Sequence, residues 1–151
     1  GVQGVTCVSL TSSEAQREGA GVDGERWADD FTRASLKGAN FKDANLAADM
    51  TNQSMGLMRG VFRSSDLEGA NFQNANMGRV VLEYSSLKDA DLSGANLMGS
   101  ELGGADLTNA NVAGANFNEA DVNSAKLLSL RGKDSARNMD SMKNVDRAYV
   151  E

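Results

Sequence analysis

The side chains that could do chemistry are few in this 151-residue chain, and their spacing fits no catalytic site. The chain has no His and a single Cys, Cys7, which excludes a His-based triad, a Cys–His pair, a thiolate or imidazole metal cluster and an intrachain disulfide. The glycines at Gly94 and at Gly103-Gly104 lack the strand–helix context and the spacing of a phosphate-binding loop. Cys7 is interpreted as a lone small apolar residue rather than a regulatory thiol. We therefore predict no catalytic residue, no metal site and no cofactor.

Acidic residues outnumber basic residues, and the excess is uneven along the chain. The 21 Asp and Glu against 15 Lys and Arg give a net charge of −6. Residues 1–30 hold six acids and two bases, residues 31–129 hold eleven and eight, and residues 130–151 hold four and five. This balance argues against direct binding of nucleic acid. No apolar run approaches the ~18 residues of a transmembrane segment.

An apolar residue recurs at every fifth position from Leu57 to Leu127, fifteen times in fifteen. A small residue lies two positions before thirteen of these centres, and nine of the small residues are Ala. Asp or Asn immediately precedes nine centres. An earlier set follows the same pattern at Phe31, Leu36, Phe41 and Leu46. This regularity predicts one repeated structural unit across most of the chain.

A period of five fits neither a helix nor a simple strand. Five helical steps of 100° would scatter the centres around the axis, and an odd period would place successive strand residues on opposite faces. The pattern works if each unit forms one short side and then turns a corner, with Gly, Asn, Asp and Ser supplying the turn residues. Each unit then directs one large and one small side chain inward.

The A-(D/N)-(L/F)-x-x units, such as Ala70-Asn71-Phe72 and Ala105-Asp106-Leu107, resemble the pentapeptide-repeat family. The resemblance implies an all-β fold, a right-handed quadrilateral β-helix with four units in each coil. Nineteen units place this solenoid at residues 29–129 and predict about five coils. With twenty residues per coil, the centres form internal ladders, one of them predicted as Leu57, Met77, Leu97 and Phe117.

The two ends depart from the five-residue period. Residues 1–28 are predicted to be an N-terminal extension or cap, with Trp27 as a plug over the first coil. Residues 130–151 are predicted to be a C-terminal cap containing a helix over about 135–149. The helix follows from the three- and four-residue spacing of Met139, Met142, Val145 and Tyr149. Two roles stay open for it: closing the solenoid, or contacting a partner or a dimer mate, so that a homodimer would form through the ends.

The repeat register slips between Leu46 and Leu57, which are eleven residues apart, or two units plus one. This spacing predicts a bulge or small loop within residues 47–56. Two interpretations stay open: a tolerated one-residue insertion, or a contact loop that exposes Met50 or Met55.

Outward-facing apolar residues, together with the arginines beside them, define a candidate partner surface on a wall otherwise made of Asn, Asp, Ser and Gly. Aligned across twenty-residue coils, the apolar members fall on two adjoining faces with two arginines near the corner between them. Met, aromatic and Arg side chains are typical of the centre of a protein interface. The alternative, scattered apolar residues with no function, stays open. The surface comprises Met58, Arg59, Val61, Arg79, Val81, Tyr84 and Met98.

These observations favour a non-enzymatic structural or interaction protein, a rigid scaffold that binds a protein partner. The resemblance implies a cyanobacterial or plastid setting, since the family is frequent in cyanobacteria and in the thylakoid lumen. A start at Gly1 rather than Met is compatible with a removed leader. We therefore expect a lumenal subunit or assembly factor of a photosynthetic membrane complex, with the bacterial cytoplasm as the alternative location.

A different function is also known in the family, namely mimicry of duplex DNA toward DNA gyrase. Such a mimic needs a strongly negative rod of the width of DNA. Residues 31–129 carry a net charge of only −3, and Arg59, Arg63 and Arg79 lie close together in that segment. The charge distribution therefore disfavours a DNA-mimicking gyrase-binding protein, which is kept as the alternative function.

Overall fold

The computed structural model describes residues 30–48, 50 and 59–151. Its named elements are short: strands β1 (Lys126–Leu127) and β2 (Tyr149–Val150), and three 3-10 helices at Lys133–Ser135, Met139–Ser141 and Val145–Arg147. The predicted extension at residues 1–28, with Cys7 and Trp27, lies outside the described residues. Met55, Leu57 and Met58 lie outside them as well.

Parallel bridges between single residues, together with the β1–β2 pair, join successive coils in four columns, one for each side of the coil. From Val61 to Lys126 the bridged residues are twenty apart, so each coil there has four sides of five residues. We name each outer face after its column. Column 1 is Asp30, Val61, Val81, Glu101, Asp121 and Lys143; column 2 is Ser35, Asp66, Ser86, Asp106, Lys126 and Tyr149; column 3 is Asn40, Asn71, Asp91, Asn111 and Arg131; column 4 is Asn45, Asn76, Asn96, Asn116 and Arg137.

Each five-residue side combines one hydrogen bond around the corner with hydrogen bonds to the neighbouring coils. In the side centred on Leu67, the Ala70 amide donates to the Leu67 carbonyl at 3.0 Å, and the Leu67 amide donates to the Ser86 carbonyl of the next coil at 2.8 Å. The second turn residue, Gly69, has a φ of 69°. Gly, and to a lesser degree Asn and Asp, tolerate this left-handed conformation better than most residues, which explains their frequency at the corners.

The repeat centres and the small residues before them fill the interior of the coil. The centre residues from Phe62 to Val122 are fully buried. Phe31 stacks on Phe62 with ring centroids 4.9 Å apart, and Phe41 stacks on Phe72 at 5.1 Å. Neighbouring rings within a coil meet edge to face, as aromatic pairs prefer. The side chains therefore form a packed core rather than an open channel.

The insertion between the first two described coils is eleven residues long, so of the two interpretations the one-residue insertion is wrong. Asp30 pairs with Val61 across 31 positions, eleven more than the twenty of the later coils. Leu46 donates its amide to the Asn76 carbonyl at 2.8 Å, and Ala48 donates to Gly78 at 3.0 Å. The side that contains Leu46 is therefore in register with Met77, the ladder position that the sequence pattern assigned to Leu57.

The predicted C-terminal helix is also wrong, since the described residues contain no α-helix. The chain instead continues the wall with sides of six residues, in which the Arg137 and Lys143 amides donate to the carbonyls of Ala115 and Ala120 at 2.7 and 2.9 Å. Each six-residue side contains one of the 3-10 helices. A left-handed residue precedes each of these helices: Gly132, Asn138 and Asn144.

Candidate interaction surface

Outer face 1 and its corners carry the described members of the candidate partner surface. Arg59 and Val61 belong to this wall in the second coil, and Val81 follows in the third coil. Arg79 is at the corner where the chain enters the face, and Tyr84 is at the corner where it leaves. The seventh member, Met58, lies outside the described residues.

Met98 lies at the entry corner, one coil beyond Arg79. The Arg79 amide donates to the Met98 carbonyl at 2.8 Å, which sets this register. The Met98 side chain is 37% exposed. It contributes with Ala47, Ala48, Gly78 and Arg79 to a shallow notch of 110 Å³.

Val81 is 1% exposed, so its assignment to an exposed apolar surface is wrong. The Arg59 guanidinium reaches two coils along the face, where its Nη1 lies 3.2 Å from Glu101 Oε1 and 2.9 Å from the Arg79 carbonyl oxygen. Val81 lies between Val61 and Glu101 in column 1, and the Arg59–Glu101 ion pair therefore closes over it. The long aliphatic part of an arginine can cover apolar surface while its head group stays polar.

Tyr84 projects from the exit corner and is 68% exposed. Its ring packs on the backbone of Gly104 in the next coil, because a Cβ atom built at residue 104 would lie 2.5 Å from Tyr84 Cδ1. Any side chain at residue 104 would displace the ring. The glycine therefore holds an exposed aromatic ring flat against the wall.

A transverse groove crosses face 1 along the coil that contains Glu101. Gly99 at one corner and Gly103 and Gly104 at the other carry no side chains, so this coil recedes between its neighbours. Two cavities of 380 and 410 Å³ result, and both are lined by Glu101 and Asp121. We call the first the Arg79 half and the second the Tyr84 half of the transverse groove.

The two halves of the transverse groove differ in charge. The Arg79 half is lined by Arg59, Arg79 and Lys143 together with Glu101, Glu119 and Asp121. The Tyr84 half is lined by Glu83, Glu101 and Asp121, and no Lys or Arg is part of its lining; its remaining members are Tyr84, Gly103, Gly104, Asn123 and Ser124. The lining of the Tyr84 half is therefore acidic, although two of its three carboxylates are ion-paired with an arginine outside the lining, Glu83 with Arg63 and Glu101 with Arg59, each at 3.2 Å.

Two wall carboxylates have a shifted pKa, and each is held by a threonine two residues later. The Thr32 hydroxyl hydrogen bond to Asp30 lowers the pKa of that carboxyl against an opposing effect of burial. Burial acts to raise the pKa of Asp106, but hydrogen bonds from the Thr108 hydroxyl and amide outweigh it, and the pKa of Asp106 is lowered. Lys88 Nζ, 3.7 Å from Asp106 Oδ2, contributes in the same direction. These shifts stabilise the charged wall and mark no catalytic group.

The residues of the predicted partner helix surround the end of the last coil rather than forming one helical face. Met142 is buried and Met139 is half-buried, while Val145 is 43% exposed and Tyr149 is 60% exposed. Met139, Met142 and Val145 line a cavity of 230 Å³ together with Leu127, Leu130 and Val150. The described residues thus present a second apolar surface at this end.

Sequence reasoning missed the transverse groove. Its signal is the Gly103-Gly104 pair, which puts two glycines at consecutive turn positions, a combination found in no other described five-residue side. At the other corner the Arg79 side chain lies over Gly99, where a Cβ atom would be 3.2 Å from Arg79 Cγ. Reading these glycines as a groove requires knowing which residues lie one coil before and after them, and the bridges of column 1 provide that alignment.

Among the residues that the structure describes, no group of three or more Cys, Asp and Glu side chains is arranged to hold a metal ion. The same part of the chain has no helix with the length and apolar character needed to cross a bilayer.

Comparison with solved structures finds other pentapeptide repeat proteins. One from the Arabidopsis thaliana thylakoid lumen is 26% identical with a TM-score of 0.53, over 63% of this chain and 59% of that one. Rfr23 from the cyanobacterium Cyanothece 51142 is 23% identical with a TM-score of 0.49, over 81% and 64%. QnrB1, a plasmid-mediated fluoroquinolone resistance protein, is 17% identical with a TM-score of 0.41, over 83% and 70%. The chain spans less than two thirds of the first two proteins.

Comparison with sequences identifies the repeat itself. No curated protein sequence matches the chain significantly. The family model for pentapeptide repeats matches residues 30–51, 61–102 and 95–127, with eight copies. Proteins of that family form a right-handed β-helix and are generally non-enzymatic structural or interaction proteins. The chain therefore belongs to the pentapeptide-repeat family.

Proposed function

We propose that this protein is a non-enzymatic, rigid scaffold that binds a protein partner through outer face 1. One observation carries the proposal: the large apolar or aromatic side chains that are exposed between Val61 and Lys126, Tyr84 and Met98, lie at the two corners of that one face, with Arg79 beside Met98. A wall built for stacking alone needs only small and turn-forming residues at these positions. Exposed Tyr, Met and Arg side chains are typical of interface centres.

The filled interior supports a non-enzymatic role for this chain. The centre residues from Phe62 to Val122 occupy the space in which a solenoid could hold a substrate. The described cavities lie on the outer wall and at the end of the last coil and are open to solvent. None of these three cavities encloses a ligand in the way that a small-molecule site does.

We further propose that the partner is part of a photosynthetic membrane complex and that the protein acts in the thylakoid lumen. The support is the 26% identity to the thylakoid-lumen protein of Arabidopsis thaliana. The alternative location is the bacterial cytoplasm. Isolation of intact thylakoids followed by protease protection would test this, since a lumenal protein resists digestion until the membrane is opened.

Site-directed photocrosslinking in an extract of the source organism tests the scaffold proposal. A benzoylphenylalanine replaces Tyr84 in one variant and Lys88 in another; both are exposed in the same coil, but Lys88 borders no part of face 1. We expect a discrete adduct from position 84 and none from position 88. Equal labelling from both positions, or none from position 84, would contradict binding through face 1.

The alternative function, DNA mimicry toward gyrase, has less support. Lys126, Arg131, Arg137 and Lys143 occupy the wall positions of the last coil, where Asp and Asn occur in the coil before. A duplex mimic needs continuous negative potential along the rod. A supercoiling assay checks this: gyrase activity that is unchanged by the protein, with and without a gyrase inhibitor, is the expected result.

A homodimer through the ends stays a prediction. The apolar cavity at Met139, Met142 and Val145 is the described surface best suited to it. Sedimentation velocity over a range of protein concentrations would measure the mass directly.

A further inference from the structure

We propose that the Tyr84 half of the transverse groove binds an arginine or lysine side chain of the partner protein. This inference rests on the proposed function and adds the chemistry that the partner must present. The cavity of 410 Å³ is large enough to admit a guanidinium group and part of its aliphatic chain. Four features argue for a cation there: free carboxylate oxygens, the exposed Tyr84 ring, an open floor and the contrast with the Arg79 half.

Each carboxylate at the groove keeps one oxygen without a partner among the described residues. Arg63 binds only Oε1 of Glu83, at 3.2 and 3.3 Å, and Arg59 binds only Oε1 of Glu101 at 3.2 Å. Asp121 accepts hydrogen bonds through Oδ1 alone, from the Asn123 amide at 3.1 Å and from Asn144 at 2.9 Å. The second oxygens of the three side chains therefore stay available for an incoming donor, which an arginine fork can satisfy.

The orientation of Glu83 directs one of these oxygens into the groove. A Cβ atom built at Gly103 would lie 3.9 Å from Glu83 Oε2, so this oxygen faces the open floor of the groove. Arg63 holds the other oxygen of the same carboxylate and fixes its position. The charged acceptor is therefore positioned before any partner arrives, which lowers the entropic cost of binding.

Tyr84 supplies the second recognition element. Its ring is held on Gly104 at the edge of the same cavity and is 68% exposed. A guanidinium or ammonium group is attracted to an aromatic face, and the interaction strengthens when water is excluded. An arginine that enters the cavity can meet the ring and the carboxylates together.

The Arg79 half explains why the cation is assigned to one end of the groove. Arg79 and Lys143 line that half, and among the described residues neither charged group has a hydrogen-bond or ion-pair partner. The three carboxylates of that half are matched by three basic side chains, so it offers an incoming cation no excess of negative charge. The two halves therefore impose a direction on the partner segment, with its basic residue at the Tyr84 corner.

NMR titration of the ¹⁵N-labelled chain tests the inference with two capped tripeptides, acetyl-Gly-Arg-Gly-amide and the same peptide with neutral citrulline in place of arginine. We expect saturable shifts confined to residues 83–84, 101–104 and 121–124 with the arginine peptide. Citrulline should weaken binding by about fivefold or more, since it removes the charge but keeps the shape. Equal binding of the two peptides, or shifts centred on Arg79 and Lys143, would overturn the inference.

Matched glycine variants remove the groove without removing a charge. Gly103→Gln fills the floor, and its Cβ atom would meet only ordinary contacts, 3.6 Å to the Asn123 carbonyl oxygen and 3.9 Å to Glu83. Gly78→Gln makes the same change at the equivalent turn position of another corner, also without contacts under 3.6 Å. Gly103→Gln should weaken the arginine peptide by about threefold or more while Gly78→Gln leaves it unchanged. Thermal melts of both variants confirm that each is folded, and equal effects on the peptide would contradict the assignment.

Glu83→Gln provides a separate test that keeps the groove open. It removes one carboxylate and should weaken the arginine peptide but not the citrulline peptide. An unchanged affinity for arginine would count against Glu83 as an acceptor.

If benzoylphenylalanine at position 84 forms an adduct with the natural partner but the arginine peptide does not bind, the cationic chemistry is wrong and the scaffold proposal stands. If arginine binds but no adduct forms, the groove chemistry stands and the scaffold proposal fails.

Discussion

The five-residue coils from Val61 to Lys126 and the six-residue coil that follows build the same wall with different turns. The wall bonds are alike: the Asp121 amide donates to Ser100 at 2.9 Å in the regular coils, and the Lys143 amide donates to Ala120 at 2.9 Å in the last coil. The extra residue in each side is absorbed by a 3-10 helix at the corner. Backbone pairing between coils therefore sets the register, while the corner accommodates a change in repeat length.

Side chains secure the six-residue corners to the regular coil before them. Asn138 Nδ2 donates to Asn116 Oδ1 at 2.7 Å, and Asn144 Nδ2 donates to Asp121 Oδ1 at 2.9 Å. The first bond extends an amide ladder in which Asn116 donates to Asn96 at 3.3 Å. The two regions also differ in burial, because Ala115 and Ala125 in the regular coils are fully buried whereas the corresponding Ala136 and Ala148 of the last coil are half-buried.

The largest expected effect is the loss of stability when a buried side chain is removed, which should be greater in the regular coils than in the last coil. Phe72→Ala removes a fully buried ring that stacks on Phe41, and we expect a loss of ~3–5 kcal/mol in the free energy of unfolding. Met142→Ala lies beside the open cavity at the end of the last coil, so we expect less than half of that loss. Urea denaturation measures both. Similar losses would show that the last coil is packed as tightly as the others.

Adding volume to a buried position should also destabilise the regular coils more than the last coil. Ala95→Leu adds volume to a filled interior and should cost ~1–3 kcal/mol in the free energy of unfolding. Ala136→Leu adds the same volume at a half-buried position, where the added atoms can stay partly in solvent, and should cost less. Urea denaturation of the pair checks this. A harmless Ala95→Leu would mean that residue 95 does not face the interior.

The residues of the last coil also show where sequence reasoning reaches its limit. The spacing of Met139, Met142, Val145 and Tyr149 fits an amphipathic helix and a six-residue side equally well. What distinguishes them is a strict second pattern, with Gly or Asn at 132, 138 and 144 and Asp at 134, 140 and 146. The five-residue fold is predictable because its period has no competing interpretation, whereas the end required the actual backbone pairing.

The ladder position next to Met77 and the burial of Val81 depart from the sequence pattern for different physical reasons. Leu57 is five residues before Phe62, so the period continues through it, and only the bonds from Leu46 and Ala48 to the next coil assign that side elsewhere. Val81 is at an outward position, but the side chain of Arg59 closes over it to reach Glu101. Periodicity determines which way a residue points and cannot predict where a long side chain from another coil will lie.

A pair of glycine substitutions compares the corners directly. Gly69→Ala and Gly132→Ala both place a side chain at positive φ, 69° and 72°. At Gly69 the new Cβ atom meets nothing within 4 Å, whereas at Gly132 it would lie 2.6 Å from Ala113 Cβ. Both variants carry the backbone strain of a side chain at positive φ, so only the contact with Ala113 distinguishes them. Gly132→Ala should therefore lose ~1–2 kcal/mol more in the free energy of unfolding than Gly69→Ala. Equal losses in urea denaturation would contradict the close contact between the last coil and the one before it.

The smallest expected effect concerns wall charge. Because the folded pKa of Asp106 is lowered, its contribution to stability is present above the unfolded pKa and is lost as pH falls through the folded pKa. Thr108→Val removes the hydroxyl hydrogen bond and should raise the pKa of Asp106, so the variant should be less stable than the parent at pH 7, and the difference should shrink on acidification. Urea denaturation at pH 7 and at pH 3 measures this. The same substitution in an Asp106→Asn background is the control, and an undiminished pH-dependent difference there would contradict the assignment to Asp106.

The central claim is that the transverse groove on face 1 binds the natural partner, and filling that groove tests it most directly. Wild-type, Gly103→Gln and Ser93→Gln proteins, each carrying benzoylphenylalanine at position 84, are irradiated in an extract of the source organism, and the adduct yield is measured by immunoblot. Ser93 is the first turn residue of the corner between columns 3 and 4, which borders no part of face 1. The account predicts that Gly103→Gln loses most of the adduct while Ser93→Gln retains the wild-type yield. An adduct of wild-type yield in the Gly103→Gln protein would contradict it.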